Sequence, residues 1–311
     1  MRINRDIVID RARLPAIAAS RATLAVNSNN LPYGAGYPYR LSPAFSAPYR
    51  AAEITRQIRA LHALDSEAFR SVQADTMSVG EADFARRCVA ALRATGADRD
   101  PDVRPAFDAL AAFDGRFDPG SRGATVTQRV RVYATRDLVA THMDAARADA
   151  YVRDGPAFVT LMRALRERPR GWFPNDDANA FLTAEVRRAI HDFGGRDAIA
   201  VPYGDAYAVV AQHPLAAFGF HLWDAARVPG AGGAFAPAVQ GLANGQSFRA
   251  VWDVGSWDGG GIDIPNGESG EPGSAHYRDL AAHWQQHRLT PLPFSRAAVD
   301  RAATSTLVLT P

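Results

Sequence analysis

The 311-residue chain contains no lysine, so all 35 of its basic residues are arginines. These arginines are interleaved with 33 acidic residues, and the formal net charge is only +2. Proteins that bind nucleic acid usually concentrate positive charge on one face or in one stretch of the chain. This sequence has no such stretch, and we expect no nucleic acid among its partners.

Cysteine is almost missing, since Cys88 is the only one in the sequence. A single cysteine excludes an intrachain disulfide and any metal site built from several thiolates. The sequence also has no apolar run of membrane-spanning length, and its first residues, MRINRDI, have no apolar stretch like that of a signal peptide. We therefore expect no membrane partner, and these residues assign no compartment to the chain.

Apolar residues recur at helical spacing through the middle of the sequence, and short runs typical of strands lie on either side of it. This pattern predicts an α+β chain in three parts, residues 1–46, a helical block at 47–200, and a C-terminal α+β segment at 201–311. The predicted helices start near 51 and cover 67–75, 80–95, 103–113, 124–152, 156–168, 177–193 and 274–287; the predicted strands are 22–26, 248–254, 260–264 and 306–310.

A turn rich in asparagine follows the first predicted strand, where residues 26–32 are VNSNNLP. Side chains at the end of a strand are easily presented to a ligand. An amide hydrolase needs hydrogen-bond donors for its developing oxyanion, and the side-chain amide of Asn29 can supply one. The alternative is a purely structural turn, because asparagine tolerates left-handed backbone angles.

An arginine opens the next predicted helix, in the segment APYRAAEI at 47–54. This residue, Arg50, follows Asn29 by 21 positions. Its guanidinium could support a site at the asparagine turn and meet a carboxylate. The alternative is a surface ion pair with Glu53 at the start of the helix.

The C-terminal segment carries a third signal, NGESGEPGSAHYRD at 266–279, followed by Trp284 and by PLPFS at 291–295. With the asparagine turn and Arg50, in this order along the chain, these residues resemble the penicillin acylase family. The resemblance implies a partial αββα sandwich of the N-terminal nucleophile (Ntn) hydrolases, with a large helical insertion and strands drawn from two processed chains.

By the same resemblance, Asn29 is the oxyanion residue of the family, and Arg50 lies near the active site and orients it. The nucleophile of the family is an N-terminal serine, whereas position 1 here is Met1. We therefore expect the C-terminal part of an acylase, whose partner is an N-terminal acylase segment carrying the serine. The alternative is a non-catalytic remnant or binding module of the same fold.

The family resemblance implies a small acyl-amide substrate, such as a β-lactam, an acyl-homoserine lactone or a lipopeptide side chain, and a periplasmic or secreted protein. Some members bind calcium through an acidic residue shortly after a segment like Tyr37-Pro38. Residues 39–42 are YRLS and contain no acid. We therefore predict no cofactor for this chain, although the full-length enzyme could hold calcium.

Three weaker patterns complete the sequence-based prediction. The segment GESG at 267–270 is similar to a nucleophile elbow, but Glu271 follows where glycine is needed, so a catalytic Ser269 with His276 and Asp279 is the less favoured hypothesis. His283 and His287 have the spacing of zinc ligands, without a third ligand. Arg249 is expected to have a structural role in a strand and to pair with Asp253.

Overall fold

The computed structural model describes residues 9–16, 23–42, 45–154, 156–224, 227–241 and 245–309. Most of the regular structure in these ranges is helical, with one small sheet. The helices are α1 Tyr49–Ala60, α2 Ser66–Ala74, α3 Val79–Ala94, α4 Arg104–Ala111, α5 Arg122–Ala140, α6 Ala145–Asp154, α7 Ala157–Glu167, α8 Ala178–Asp192, α9 Arg196–Ile199, α10 Tyr203–Ala206, α11 Ala281–Gln285 and α12 Arg296–Ala302. The strands are β1 Arg249–Val251, β2 Gly261–Asp263 and β3 Thr290–Pro291.

The hydrophobic core lies in the helical block, where α3, α5 and α8 pack against one another and α4 and α7 pack against α5. Among the completely buried core side chains are Phe84, Leu92, Val126, Leu161 and Val186. Each such burial contributes about 1.5–3 kcal/mol of transfer free energy. These buried side chains therefore stabilise the helical block on which the other segments pack.

The C-terminal segment contains an antiparallel sheet in the order β1-β2-β3. Arg249 lies opposite Asp263 in this register. The side chain of Gln73, on α2, donates a hydrogen bond to the carbonyl of Ala250 at 2.9 Å. This contact joins the helical block to the sheet, and the mixed α+β class predicted from the sequence is confirmed.

Two predicted helices differ from the observed ones. The helix expected at 124–152 is two helices, because Asp144 accepts a hydrogen bond from the backbone N–H of Arg147 and so caps a new helix start. The helix expected at 274–287 is reduced to α11. Before it, the hydroxyl of Ser274 accepts from the N–H of His276, which favours a turn.

Two predicted strands were wrong over their described residues. Residues 23–26 and 306–309 form no strand. A strand is held by hydrogen bonds to a neighbouring strand, and the nearest backbone pairing to the first segment is an isolated bridge between Asn30 and Ser46. Ala22 and Thr310 lie outside the described residues. Within the described ranges, no helix is both long and apolar enough to cross a bilayer.

Candidate active-site segment

The asparagine turn is held by its own side chains. Asn27 accepts a hydrogen bond from the backbone N–H of Asn29 at 2.8 Å, and Asn30 accepts one from the N–H of Ser28 at 3.0 Å. Asn29 adopts the left-handed conformation, with φ of 61°, which asparagine tolerates better than most residues. The two outer asparagines therefore have structural roles, and the side chain of Asn29 is left for another contact.

That contact is with Arg50. Its Nη2 donates to the carbonyl of Ser28 at 2.7 Å and to Oδ1 of Asn29 at 2.9 Å, and lies 3.5 Å from the hydroxyl of Ser46. The N–H of Ser46 in turn donates to the carbonyl of Asn29 at 2.8 Å. One guanidinium thus ties together the asparagine turn and the segment that leads into α1.

The first turn of α1 is fixed by the residue beside Arg50. The ring of Tyr49 packs against Phe158 and Phe235, with centroids 5.7 and 5.8 Å apart. A Cβ added at Gly80 would lie 3.0 Å from the Tyr49 ring, so the glycine permits this close approach of α3. Because Tyr49 is anchored in the helical block, Arg50 is held in place against the turn.

The charge of Arg50 is not neutralised by any carboxylate among the described residues. Glu53, its expected ionic partner under the structural alternative, instead binds Arg56 through two contacts of 2.5 and 3.0 Å. Arg50 also lies at a helix N-terminus, where the helix dipole disfavours positive charge. Burial lowers the pKa of Arg50. Neither the helix dipole nor an ion pair therefore explains this position for the arginine.

The contact determines how the Asn29 amide is oriented. Arginine has only donors, so the atom of Asn29 that faces it is the acceptor oxygen. The Nδ2 group then points away from Arg50, and no described residue accepts a hydrogen bond from it. An exposed amide N–H₂, held by a neighbouring guanidinium, can donate to a negatively charged oxygen on a bound molecule.

The alternative serine site is not assembled. The hydroxyl of Ser269 accepts a hydrogen bond from the N–H of Glu271 at 3.1 Å, as in a turn. His276 Nδ1 lies 2.8 Å from Asp279, but no hydrogen bond joins its ring to Ser269 among the described residues. The carbonyl of His276 accepts from the backbone N–H of Ser269 instead. The tail motif is thus held together by the backbone hydrogen bond between Ser269 and His276, and it does not form a catalytic triad in this structure.

The predicted pairing of Arg249 with Asp253 was wrong. Arg249 instead lies opposite Asp263, donates to the Trp284 carbonyl, and contacts the Gln246 side chain at 2.5 Å. Its guanidinium lies over the Trp284 ring. Only 6% of Arg249 is exposed, and burial lowers its pKa to about 10. Its expected structural role is consistent with these contacts.

No group of three or more histidine, cysteine or acidic side chains within the described ranges is placed to hold a metal ion. This includes the region of His283 and His287. Burial lowers the pKa of His287 to about 4.

Sequence reasoning did not identify Ser28 and Ser46 as parts of the Arg50 contact. Ser28 takes part through its backbone carbonyl, which any residue carries, and Ser46 is brought to the turn by the bridge to Asn30. Neither contact leaves a pattern of residue types in the sequence.

An amide donor beside an uncompensated guanidinium suits enzymes that generate an oxyanion, among them amide hydrolases. The penicillin amidase family model matches residues 4–301. The chain therefore belongs to the penicillin amidase family, a family of hydrolases, as its motifs suggested.

One curated relative is the penicillin acylase 2 proenzyme of Pseudomonas sp. (strain SE83). The two sequences are 26% identical over 324 residues, an alignment that covers 96% of this chain and 40% of the relative. The chain thus spans less than half the length of that relative, which is named as an enzyme precursor.

Proposed function

We propose that this chain is the C-terminal part of a penicillin acylase-type amide hydrolase, and that it supplies Asn29 as an oxyanion donor and Arg50 as the residue that orients it. The observation that carries the proposal is the 2.9 Å contact from Arg50 Nη2 to Asn29 Oδ1, which leaves the Asn29 N–H₂ group free to donate. Membership of the penicillin amidase family supports the reaction class.

The nucleophile in this proposal is a serine at the N-terminus of a partner segment. Its free α-amino group, whose ordinary pKa is near neutrality, takes the hydroxyl proton as the oxygen attacks the amide carbonyl. The carbonyl oxygen becomes negative and accepts a hydrogen bond from Asn29 Nδ2. As the intermediate collapses, the protonated α-amino group gives its proton to the leaving nitrogen and the amine is released; water then hydrolyses the acyl-serine ester.

The partner segment would also complete the fold, as an αββα sandwich whose strands come from both segments. The three-stranded sheet has an edge at β1, and the flanking side chains of Phe248 and Trp252 are each 51% exposed. Exposed edges next to large apolar side chains favour pairing with another strand. A strand added beside β1 would take the place of the hydrogen bond from Gln73 to the Ala250 carbonyl.

The proposed substrate is a small acyl amide, of the β-lactam, acyl-homoserine lactone or lipopeptide type, and the proposed compartment is periplasmic or extracellular. Both follow from the family. The proposed chemistry needs no cofactor from this chain, and calcium is proposed only for the full-length enzyme.

The test is hydrolysis of phenylacetyl and long-chain acyl amide reporters by the purified chain, alone and after co-expression with the N-terminal segment of a related acylase. We expect activity only in the combined sample, and loss of it when the N-terminal serine of the partner is replaced by alanine. A stable complex without activity would favour a non-catalytic remnant. Activity of the chain alone would contradict the assignment of the nucleophile.

A further inference from the structure

Two stacked phenylalanine rings lie against the first turn of α1. Phe158 of α7 and Phe235, from the segment before β1, have centroids 4.7 Å apart and an interplanar angle of 16°; they are here called the stacked ring pair. Phe84 of α3 meets Phe158 edge-on at 6.1 Å. Tyr49 contacts both rings of the pair. The position of the ring pair therefore determines where the first turn of α1, and with it Arg50, lies.

A guanidinium from α5 covers the same pair of rings. The Cζ atom of Arg131 lies 5.6 Å from the ring centroid of Phe158 and 5.3 Å from that of Phe235. A cation over an aromatic face is attracted by the ring quadrupole, and the attraction is stronger in a desolvated site. The side chain of Arg131 is only 11% exposed. One side chain thus contacts two rings that come from different parts of the chain.

Arg131 is itself held by a buried carboxylate. Its Nε lies 2.8 Å from Oε1 of Glu81, whose side chain is completely buried. Burial raises the pKa of Glu81, and the charge of Arg131 opposes this rise. Nη2 of Arg131 also donates a hydrogen bond to the side chain of Gln128 at 2.8 Å. Glu81 follows Gly80, the residue that permits the close approach of Tyr49, so neighbouring residues of α3 contact Tyr49 and Arg131.

Stability alone does not account for the ion pair between Glu81 and Arg131. Removal of two charges from water costs free energy, and their attraction in the interior often does no more than offset that cost. Apolar side chains of similar volume commonly give equal or greater stability. What the ion pair adds is position, because it fixes where the guanidinium lies over the stacked ring pair.

We propose that Arg131, paired with Glu81, is a positioning residue for the side-chain amide of Asn29. Arg131 fixes the stacked ring pair, the ring pair holds the first turn of α1, and Arg50 in that turn donates to Oδ1 of Asn29. The inference rests on the proposed function for the catalytic role of this amide, and it adds two residues from the helical block.

The first test is NMR spectroscopy of the purified chain labelled with ¹⁵N-asparagine. The side-chain amide signals of Asn29 are those that Asn29→Gly removes, and Arg50→Gln shows where they move when the guanidinium is absent. Glu81→Leu together with Arg131→Met, here called the core double variant, replaces both charges and leaves no unpaired buried charge. We expect the core double variant to shift the Asn29 signals in the same direction as Arg50→Gln does.

Arg104→Met together with Asp108→Leu is the matched control. This pair on α4 has a similar arrangement, since Arg104 Nε lies 2.8 Å from Asp108 and the guanidinium lies 5.6 Å from the ring centroid of Phe107. The control should leave the Asn29 signals at their positions in the parent protein. Unmoved Asn29 signals in the core double variant would overturn the proposal, and so would an equal shift in the control.

Circular dichroism shows whether each variant is folded. If the core double variant does not fold, Phe235→Leu takes its place. Leucine keeps an apolar side chain at this position and removes the ring that contacts both Arg131 and Tyr49. The same shift of the Asn29 signals is expected, and its absence would overturn the proposal.

The second test is a double-mutant cycle on kcat of the enzyme assembled with a serine-bearing N-terminal segment. The core double variant should lower kcat about tenfold when Asn29 is present and less than about twofold in the Asn29→Gly background, because coupled groups do not act additively. An equal loss in both backgrounds would show a general structural effect and overturn the proposal. If Asn29→Gly alone left kcat intact, the proposed function would fail, while the NMR shifts would still decide whether Arg131 positions the amide.

Discussion

Arg50 Nη2 lies 2.9 Å from Oδ1 of Asn29, a hydrogen bond between residues 21 positions apart in the sequence. The same nitrogen donates a hydrogen bond to the carbonyl of Ser28. A donor-only side chain thus fixes both the backbone of the asparagine turn and the orientation of its central amide. Substitution of either residue should therefore change how the other is held, and each residue can be tested by its own substitution.

Arg50→Gln should lower kcat of the assembled enzyme about 10- to 100-fold, because hydrogen bonds to charged groups contribute about 1.5–3 kcal/mol. The melting temperature should change little, because the substitution removes both the hydrogen bonds of the guanidinium and the free-energy cost of burying its unpaired charge. Arg59→Gln, at the exposed end of the same helix, is the control. Steady-state kinetics with an acyl amide reporter measures the effect. An unchanged kcat would contradict the proposed role of Arg50 in orienting Asn29.

The tail motif contains two glycines that should respond differently to substitution. A Cβ at Gly267 would lie 2.0 Å from the backbone oxygen of His276, whereas nothing lies within 4 Å of one at Gly270. We expect Gly267→Ala to destabilise the chain by about 1–3 kcal/mol, as overpacking does, and Gly270→Ala to be nearly neutral. Urea unfolding measures the stability of both variants. Equal stability would contradict the close packing of Gly267 against the backbone oxygen of His276.

Glu185 gives the chain a pH-dependent stability. Burial, reinforced by the nearby charge of Asp137 and opposed by Arg188, raises the pKa of Glu185 from 4.5 to about 7. Between these pH values the folded state holds a proton that the unfolded state has lost. The free energy of unfolding therefore falls as the pH rises through this window.

Glu185→Gln removes this titration. Between pH 5 and pH 8 the parent protein should lose roughly 2 kcal/mol more stability than the variant, while other titrating groups affect both proteins alike. Glu167→Gln is the matched control, because Glu167 is exposed and arginines lower its pKa. Urea unfolding at the two pH values gives the difference, and parallel pH profiles for the parent and Glu185→Gln would contradict the prediction.

Much of the helical block could be predicted from the sequence, because apolar spacing, N-caps and glycines act within a few residues of one another. The start of α8 is an example, since Asp177 accepts hydrogen bonds from the N–H groups of Asn179 and Ala180. The strands β1 and β2 were also predicted, from the two short runs at 248–254 and 260–264.

Other features depend on contacts that sequence spacing does not encode. The apolar run at 306–309 looks like a strand, but no described segment pairs with it, and Leu307 and Leu309 are 83% and 84% exposed. Asn29 and Arg50 were predicted from their motifs, whereas the hydrogen bonds between them required the turn and α1 to be placed together. Arg249 was expected to pair with Asp253 along one side of the predicted strand, yet the register places it opposite Asp263.

The most direct test of the proposed function is to remove the side-chain amide of Asn29. Asn29→Gly removes this amide and keeps the left-handed backbone, because glycine accepts a φ of 61° without strain. Asn175→Gly is the matched control, since Asn175 is an exposed asparagine with φ of 54° in the loop before α8. Both variants should be as stable as the parent within about 1 kcal/mol.

The measurement is kcat of the enzyme assembled with a serine-bearing N-terminal segment, for the parent and these two variants. If Asn29 donates to the oxyanion, Asn29→Gly should lower kcat about 10²- to 10³-fold, and Asn175→Gly should leave it unchanged. A folded Asn29→Gly enzyme with the kcat of the parent would contradict the proposed role of Asn29.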